Sequence, residues 1–261
     1  MKRLLIAAAA ALLLATSAHA GQTCEQKQPL AADVERSLDL ALRVARRLDD
    51  SGARVVVLAR AGQDLSRWGL RWSHLGYAYR DDSAAQPRWR VLHKLNDCGS
   101  ASGALFRQGL AEFFLDDLHE YSAAYAVPTP ALQAQLLPLL QDNRRVAQLD
   151  EPRYNMVAYP WAQTYQQSNQ WAIETLAMAQ EPSINSRERA QAWLRFQDYR
   201  PTTLRINALT RLGARVGQVN IAFDDHPNER RYSDRIDTVT VDSVFAWLQR
   251  TGLASPVSVL R

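Results

Sequence analysis

Cysteine and long apolar segments are both scarce in this chain. It has two cysteines among 261 residues. Beyond the first 20 residues, no segment approaches the run of about 18 apolar residues that a transmembrane helix needs. Internal repeats, low-complexity tracts and Gly/Pro-rich linkers are absent as well. The sequence therefore indicates neither a repeat array nor a second domain, and after its first segment it offers no membrane span.

The chain also lacks a strong charge of either sign. Its 31 basic and 27 acidic residues give a net charge of +4. Two of the basic residues, Lys2 and Arg3, belong to a predicted leader, and without them 29 basic residues face 27 acidic ones, a net charge of +2. This balance gives no case for a nucleic-acid partner. The composition, 47% hydrophobic and 22% charged, is that of an ordinary globular protein.

The first 20 residues have the three parts of a secretory signal peptide. Lys2 and Arg3 form a positive start, Leu4–Leu14 is an apolar segment, and Ala18-His19-Ala20 is a small-residue cleavage site. We predict export to the periplasm or the cell exterior, with residues 21–261 forming one domain.

Export bears on the two cysteines, Cys24 and Cys98. An even pair in an oxidising compartment is a disulfide candidate. The alternative is a reactive thiol at Cys98, which follows His93 closely. We favour the disulfide, because neither sulfur has another cysteine to pair with.

Trp68–Asn96 is the most distinctive stretch of the chain. Leu70–Arg80 and Arg88–Leu95 are rich in aromatic and β-favouring residues, and the polar segment between them predicts a hairpin. A symmetric hairpin folded between Ser83 and Ala84 would place His74 directly opposite His93. Because side chains alternate along a strand, both rings would then lie on one face of the sheet.

The rest of the chain shows a mixture of helical and strand patterns. Ser168 is predicted at or next to the N-cap of the helix that contains Trp171–Met178. Asp242 is predicted to cap the helix Ser243–Gln249. Together the patterns favour an α+β domain with an antiparallel meander packed against helices. The predicted helices are Leu30–Leu48, Ala101–Tyr121, Ala131–Leu140, Trp171–Met178, Arg187–Phe196, Thr202–Leu212 and Ser243–Gln249; the further strands are Arg54–Arg60, Tyr154–Tyr159, Val216–Phe223 and Ile236–Val241.

Three short motifs resemble the circularly permuted papain-like fold, which includes lecithin-retinol acyltransferase and bacterial NlpC-related hydrolases. The motifs are Ser73-His74-Leu75-Gly76, the strand end Val91-Leu92-His93, and Gln167-Ser168-Asn169-Gln170-Trp171. The family carries its nucleophilic cysteine in the third motif, where this chain has Ser168. The segments LARAGQDLSRWGLRWSHLGYAYRD, LFRQGLAEFF and YQQSNQWAIETLA also resemble an exported bacterial family, domain-of-unknown-function family 2145.

The first resemblance implies a papain-like site with serine in place of cysteine. His74 would be the general base, His93 would orient its ring, and Ser168 would be the nucleophile at a helix N-terminus. The implied activity is a hydrolase or acyltransferase acting on an amide, ester or thioester, such as a cell-envelope peptide or a lipid-like molecule. No cofactor or metal is expected, and nothing indicates the oligomeric state.

Plainer interpretations stay open beside this hypothesis. Ser168 could be a helix cap only, and His74 and His93 could be core histidines with satisfied hydrogen bonds. The protein would then be a non-catalytic binding or scaffold protein with a degenerate site. Asp224-Asp225-His226 could hold a metal, although a polar hairpin loop explains these residues better.

Overall fold

The computed structural model describes residues 28–83 and 88–261. The predicted leader and Cys24 therefore lie outside the described residues. The helices are α1 (Ala31–Asp50), α2 (Leu110–Phe114), α3 (Pro130–Gln141), α4 (Asn143–Ala147), α5 (Ser168–Gln180), α6 (Arg187–Phe196), α7 (Ala208–Gly217), α8 (Asn228–Arg231) and α9 (Val241–Arg250). The strands are β1 (Val55–Ala61), β2 (His74–Asp81), β3 (Arg88–Asn96), β4 (Gly103–Gly109), β5 (Glu120–Ala126), β6 (Thr202–Arg205), β7 (Arg235–Thr238) and β8 (Ser258–Leu260).

Six strands form one antiparallel sheet in the order β4-β3-β2-β1-β5-β8. The described part of the chain is thus an α+β structure, as the sequence predicts. Strands β6 and β7 pair separately as a small antiparallel sheet. Among the described residues, no helix has the length and apolar character needed to cross a membrane.

Strand β1 is buried along its whole length because both faces of the large sheet are covered. Val55, Val57 and Ala59 pack in a cluster with helices α3, α5 and α9. Val56 and Leu58 point to the other face, where α1 and α2 cover the sheet. The apolar run at Arg54–Arg60 predicts this double cover, and the prediction is confirmed.

A third, smaller hydrophobic cluster lies against the small sheet. Its buried members are Leu204, Ile206, Ile221, Phe223 and Ile236. Partly buried residues from two distant segments, including Trp68 and Met156, pack against it. We call this group the third cluster, and it forms one wall of the cavity described below.

The helix predicted at Ala101–Tyr121 is wrong. The segment forms strand β4, the short helix α2 and the start of β5. Strand β4 is an edge strand with mostly half-exposed side chains. It therefore lacks the strict alternation of a half-buried strand, and its pairing with β3 supplies the hydrogen bonds instead.

Two predicted strands are also wrong. Tyr154–Tyr159 has no strand partner among the described residues; its backbone bonds to irregular segments, as in Met156 N–H to the Asn220 carbonyl (2.9 Å). Val216–Phe223 instead contains the end of α7 and an irregular segment. The helix predicted at Thr202–Leu212 divides into β6 and α7, because Asn207 caps a helix through the Thr210 N–H.

A smaller error concerns the cap of the last helix. The last helix begins after Thr240, which accepts from the Ser243 N–H, so Asp242 is not its cap. The α6 bounds, Arg187–Phe196, are those predicted.

The predicted register of the histidine hairpin is wrong by two residues. Tyr77 pairs with Leu92 and Ala78 with Val91, so His74 is not directly opposite His93. A shift of two residues keeps every side chain on its predicted face. The rings therefore still meet, and Gly76 lies against His93.

Gly76 permits this close approach. A Cβ at Gly76 would lie 2.8 Å from the Cβ of His93 and 3.0 Å from the Leu92 carbonyl oxygen. We expect Gly76→Ala to lower the free energy of unfolding by about 1–3 kcal/mol, through overpacking. The control is Gly213→Ala, where nothing lies within 4 Å of the added Cβ and helix propensity favours alanine. Equal stability of both variants in urea denaturation would contradict this expectation.

Candidate active site

A row of polar side chains crosses one face of the large sheet. It comprises Arg60 on β1, His74 on β2, His93 on β3 and Gln108 on β4. Phe113 of α2 covers the row, with its ring centroid 5.2 Å from that of His93 and 6.0 Å from that of His74. We call these four side chains the polar row.

Two hydrogen bonds link three members of the row. His74 Nε2 lies 2.8 Å from His93 Nδ1, and His93 Nε2 lies 2.9 Å from Gln108 Oε1. With the Gln108 oxygen as acceptor, His93 Nε2 carries a proton and its Nδ1 accepts from His74. His74 Nδ1 then carries a lone pair, and it has no hydrogen-bond partner among the described residues.

Both histidines are held neutral. Burial lowers the pKa of His74 well below 6.5, and the positive charges of Arg60 and of a protonated His93 lower it further. Burial, followed by Arg60, lowers the pKa of His93 to about 3. His93 is fully buried and His74 partly so. The surroundings of the two rings thus disfavour protonation, whereas a general base must take up a proton to form an imidazolium.

Arg60 is itself 96% buried, with 4% of its surface exposed. It is Cα-paired with His74, donates to the Phe113 carbonyl and forms an ion pair with Asp116. Its guanidinium also stacks on Phe113, 4.7 Å from the ring centroid. A fixed cation therefore stands beside the two imidazoles.

Helix α5 begins at Ser168, and the preceding Gln167 is its cap. The Gln167 side chain accepts from the Asn169 N–H at 3.2 Å. It also donates to Thr238 and to the Val239 carbonyl, which ties the helix start to the small sheet. Ser168 is therefore the first residue of the helix and not its cap.

The Ser168 hydroxyl is bonded to Tyr154 and not to His74. Its oxygen lies 3.1 Å from the Tyr154 hydroxyl, and this is its one hydrogen bond among residues 28–83 and 88–261. Both side chains are buried, and burial raises the pKa of Tyr154. The structure thus joins His74 with His93 but does not join either of them with Ser168.

Ser168 and His74 also belong to different faces of the sheet. Helix α5 packs on the face of Leu75 and Tyr77, whose hydroxyl donates to the Ala172 carbonyl at 2.5 Å. His74 lies on the opposite face with Phe113. They approach only at the start of β2, where both line one cavity.

Asn169 connects the helix to this strand end. Its side-chain oxygen accepts from the Leu75 N–H at 3.1 Å. Strand β2 pairs with β3 only from Tyr77 onward, so Asn169 provides the acceptor that β3 does not. The contact fixes the amide orientation, and its Nδ2 has no partner within the described part of the chain.

The cavity has a volume of about 310 Å³ and lies between the strand end and the third cluster. His74, Ser168 and Asn169 contribute to one side, and residues of the third cluster form the other. This is the lower end of the size range of small-molecule sites in proteins.

A buried polar network supports the segment leading into α5. Lys94, which has no exposed surface, bonds to Asp150 and to Gln166 Oε1 at 3.2 Å. Gln166 donates to Glu174 at 2.6 Å, and Glu174 pairs with Arg187 of α6 at 2.9 Å. Each of these charges has a partner of opposite sign, so removing one partner would leave an unpaired charge in the core.

The metal alternative has no support from the geometry of Asp225 and His226. The two ring nitrogens of His226 face Asp225 Oδ1 (3.0 Å) and the Asp237 carbonyl (3.1 Å). Within the described ranges, no group of three His, Cys, Asp or Glu side chains is placed to hold a metal ion. The Cys24–Cys98 bridge stays a prediction, since Cys24 lies outside those ranges.

A family model described as "Uncharacterized protein conserved in bacteria (DUF2145)" matches residues 47–248. The chain belongs to this family. No curated protein and no solved structure matches the chain. The matched range of this DUF2145 member contains the polar row, the start of α5 and the third cluster.

Sequence reasoning missed several residues of this site. The sequence pattern places Arg60 only in a buried strand, and it places Gln108 in a helix. It assigns Asn169 to a motif without a role of its own. A charged residue at the end of an apolar strand run was the one available signal for Arg60.

The Glu174–Arg187 pair gives a stability prediction. Arg187→Met should lower the free energy of unfolding by about 3–5 kcal/mol, because it leaves a buried carboxylate without its cation. The matched control is Arg200→Met, which breaks the exposed pair with Asp198 and should cost no more than about 1 kcal/mol. Similar losses for both variants in chemical denaturation would show that Glu174 does not depend on Arg187.

The neutral histidines give a pH prediction. Below pH 6.5 the unfolded chain binds protons at His74 and His93 while the folded protein does not, so stability falls as the pH drops from about 6.5 towards 3. Each histidine contributes at most about 1.4 kcal/mol per pH unit. His93→Gln should reduce this loss between pH 7 and pH 5, measured by denaturation at each pH. An unchanged loss in His93→Gln would refute the assignment.

Proposed function

We propose that this DUF2145 protein is an exported ligand-binding protein with a permuted papain-like fold whose active site has lost turnover. The observation that carries the proposal is the position of Ser168. Its hydroxyl bonds to Tyr154 in a buried setting, while His74 is bonded to His93 on the other face of the sheet. A serine needs an aligned base to act as a nucleophile.

The fold hypothesis rests on the arrangement of three motifs. Two adjacent antiparallel strands carry the histidines, and a later helix carries Ser168 at its N-terminus. That helix packs on the same sheet and touches β2 through Asn169. These features support a permuted papain-like fold without establishing an activity.

The electrostatics of the polar row favour binding over catalysis. A general base works best when its pKa lies near the operating pH, whereas burial and Arg60 lower the pKa of His74 well below that range. The far end of the row is the neutral amide of Gln108, where a serine hydrolase uses a carboxylate to stabilise the imidazolium.

The ligand we propose is a cell-envelope molecule, peptide-like or lipid-like. The signal-peptide pattern of residues 1–20 directs the protein to the periplasm or cell exterior. The balanced charge gives no argument for nucleic acid. The cavity has polar groups at one end and the third cluster at the other, which suits a small amphiphile.

Hydrolysis or acyl transfer by Ser168 is the second candidate function. One observation favours it: His74 Nδ1 has no partner among the described residues and His74 shares the cavity with Ser168. A rearrangement on substrate binding would have to free the hydroxyl from Tyr154 and bring it to His74.

A fluorophosphonate probe separates the two functions. We expect no labelling of the wild-type protein, because Ser168 lacks a base. Labelling that disappears in Ser168→Ala would establish the hydrolase instead.

A cysteine variant tests the site hypothesis. In Ser168→Cys the helix N-terminus should lower the thiol pKa, so we expect the midpoint of the pH dependence of alkylation to lie at least about one pH unit below that of Ser66→Cys, which places a thiol at an exposed serine. Wild-type protein, measured in parallel, supplies the background rate. A midpoint no lower than that of Ser66→Cys would remove the support for a papain-like site.

A further inference from the structure

The cavity beside Ser168 has two chemically different ends. One is formed by the first residues of β2 and of α5, and the other by the third cluster. The two ends come from segments far apart in the chain, so the combination exists only in the folded protein. It defines what kind of molecule the cavity fits.

Asn169 provides an unused hydrogen-bond donor at the polar end. Its side chain is 94% buried, with 6% of its surface exposed, and it lines the cavity. The oxygen of its amide accepts from the Leu75 N–H, so the amide group cannot flip by 180° without losing that hydrogen bond. Nδ2 therefore stays available, in the part of the chain that the structure describes, to a ligand oxygen.

The charges around the cavity favour an anion. Arg60 and Arg67 line it with one acidic residue, Asp116, which pairs with Arg60, so one positive charge, that of Arg67, is left over. The two imidazoles nearby are neutral, so they add no charge. The thirteen-residue helix α5 also directs its positive end here, which stabilises a negative group further.

The opposite end is suited to an alkyl chain. Its apolar lining comes from the small sheet and from two irregular segments: Met156, Val157, Leu204, Ile206, Ile221 and Phe223. Several of these side chains, such as Met156 and Val157, are only partly buried. An alkyl chain placed against them would remove apolar surface from water.

We propose that the cavity binds a single-chain carboxylate, with its head group at Asn169 Nδ2 and the start of α5 and its alkyl chain against the third cluster. This deepens the proposed function and rests on it, since a cavity used for turnover would release such a molecule as a product. No covalent step is involved.

Titration with decanoate and decanol, each below its aggregation concentration, tests the proposal. Decanoate should bind at least about tenfold more tightly than decanol, because only the carboxylate uses the donors and the positive charge. Calorimetry measures both directly, and the fluorescence of Trp68 and Trp72, which line the cavity, gives a second readout. Equal affinities, or no binding of decanoate, would overturn the proposal.

Asn169→Asp is the decisive variant. It keeps an acceptor for the Leu75 N–H, loses the donor and adds a negative charge, so decanoate affinity should fall at least about tenfold. Asn143→Asp makes the same change at an exposed residue outside the cavity and should bind like wild type. Unchanged binding in Asn169→Asp would place the head group elsewhere and overturn the proposal.

Val157→Trp gives an independent test at the apolar end, in case Asn169→Asp does not fold. The larger side chain should shift the tightest-binding carboxylate from decanoate to a shorter homologue such as hexanoate. An unchanged preference would overturn the proposed position of the chain. Failure of decanoate to bind, with no fluorophosphonate labelling, would leave the proposed function standing and reject only this ligand.

Discussion

The hydrogen bond from the Leu75 N–H to the Asn169 side chain is the contact on which the candidate site depends. It lies where β2 separates from β3, so the strand has an N–H that the sheet does not satisfy. A buried N–H without an acceptor is costly, and Asn169 meets that need. The same bond holds the start of α5 against the sheet and directs Nδ2 into the cavity.

The placement of charge is the reason we propose binding rather than catalysis. Arg60 is buried beside His74 and His93, and it pairs with Asp116. An added proton on either imidazole would meet both desolvation and a neighbouring cation. One buried guanidinium therefore acts against a general base at this position.

The sequence predicted local structure well where an element's own apolar pattern was strong. The buried strand β1, the histidine strands and α6 were recognised from apolar runs and periodicity. The register error at the hairpin did not separate His74 from His93, because an even shift preserves the face of each side chain. Errors concentrated at β4, an edge strand with a weak local pattern, and at Tyr154–Tyr159, whose backbone bonds to a remote segment at Asn220.

The sequence by itself determined the α+β class, the family membership carried by the strand and helix motifs, and the three polar residues His74, His93 and Ser168 as those to locate. Only the tertiary structure decided which of them meet. Whether Ser168 faces a histidine or Tyr154 depends on how α5 crosses the end of β2, and that is set by the network through Glu174 and by Asn169. The Leu75–Asn169 contact joins residues 94 positions apart, so no local pattern records it. The cavity has the same origin, because its polar and apolar ends come together only when the small sheet packs beside the large one.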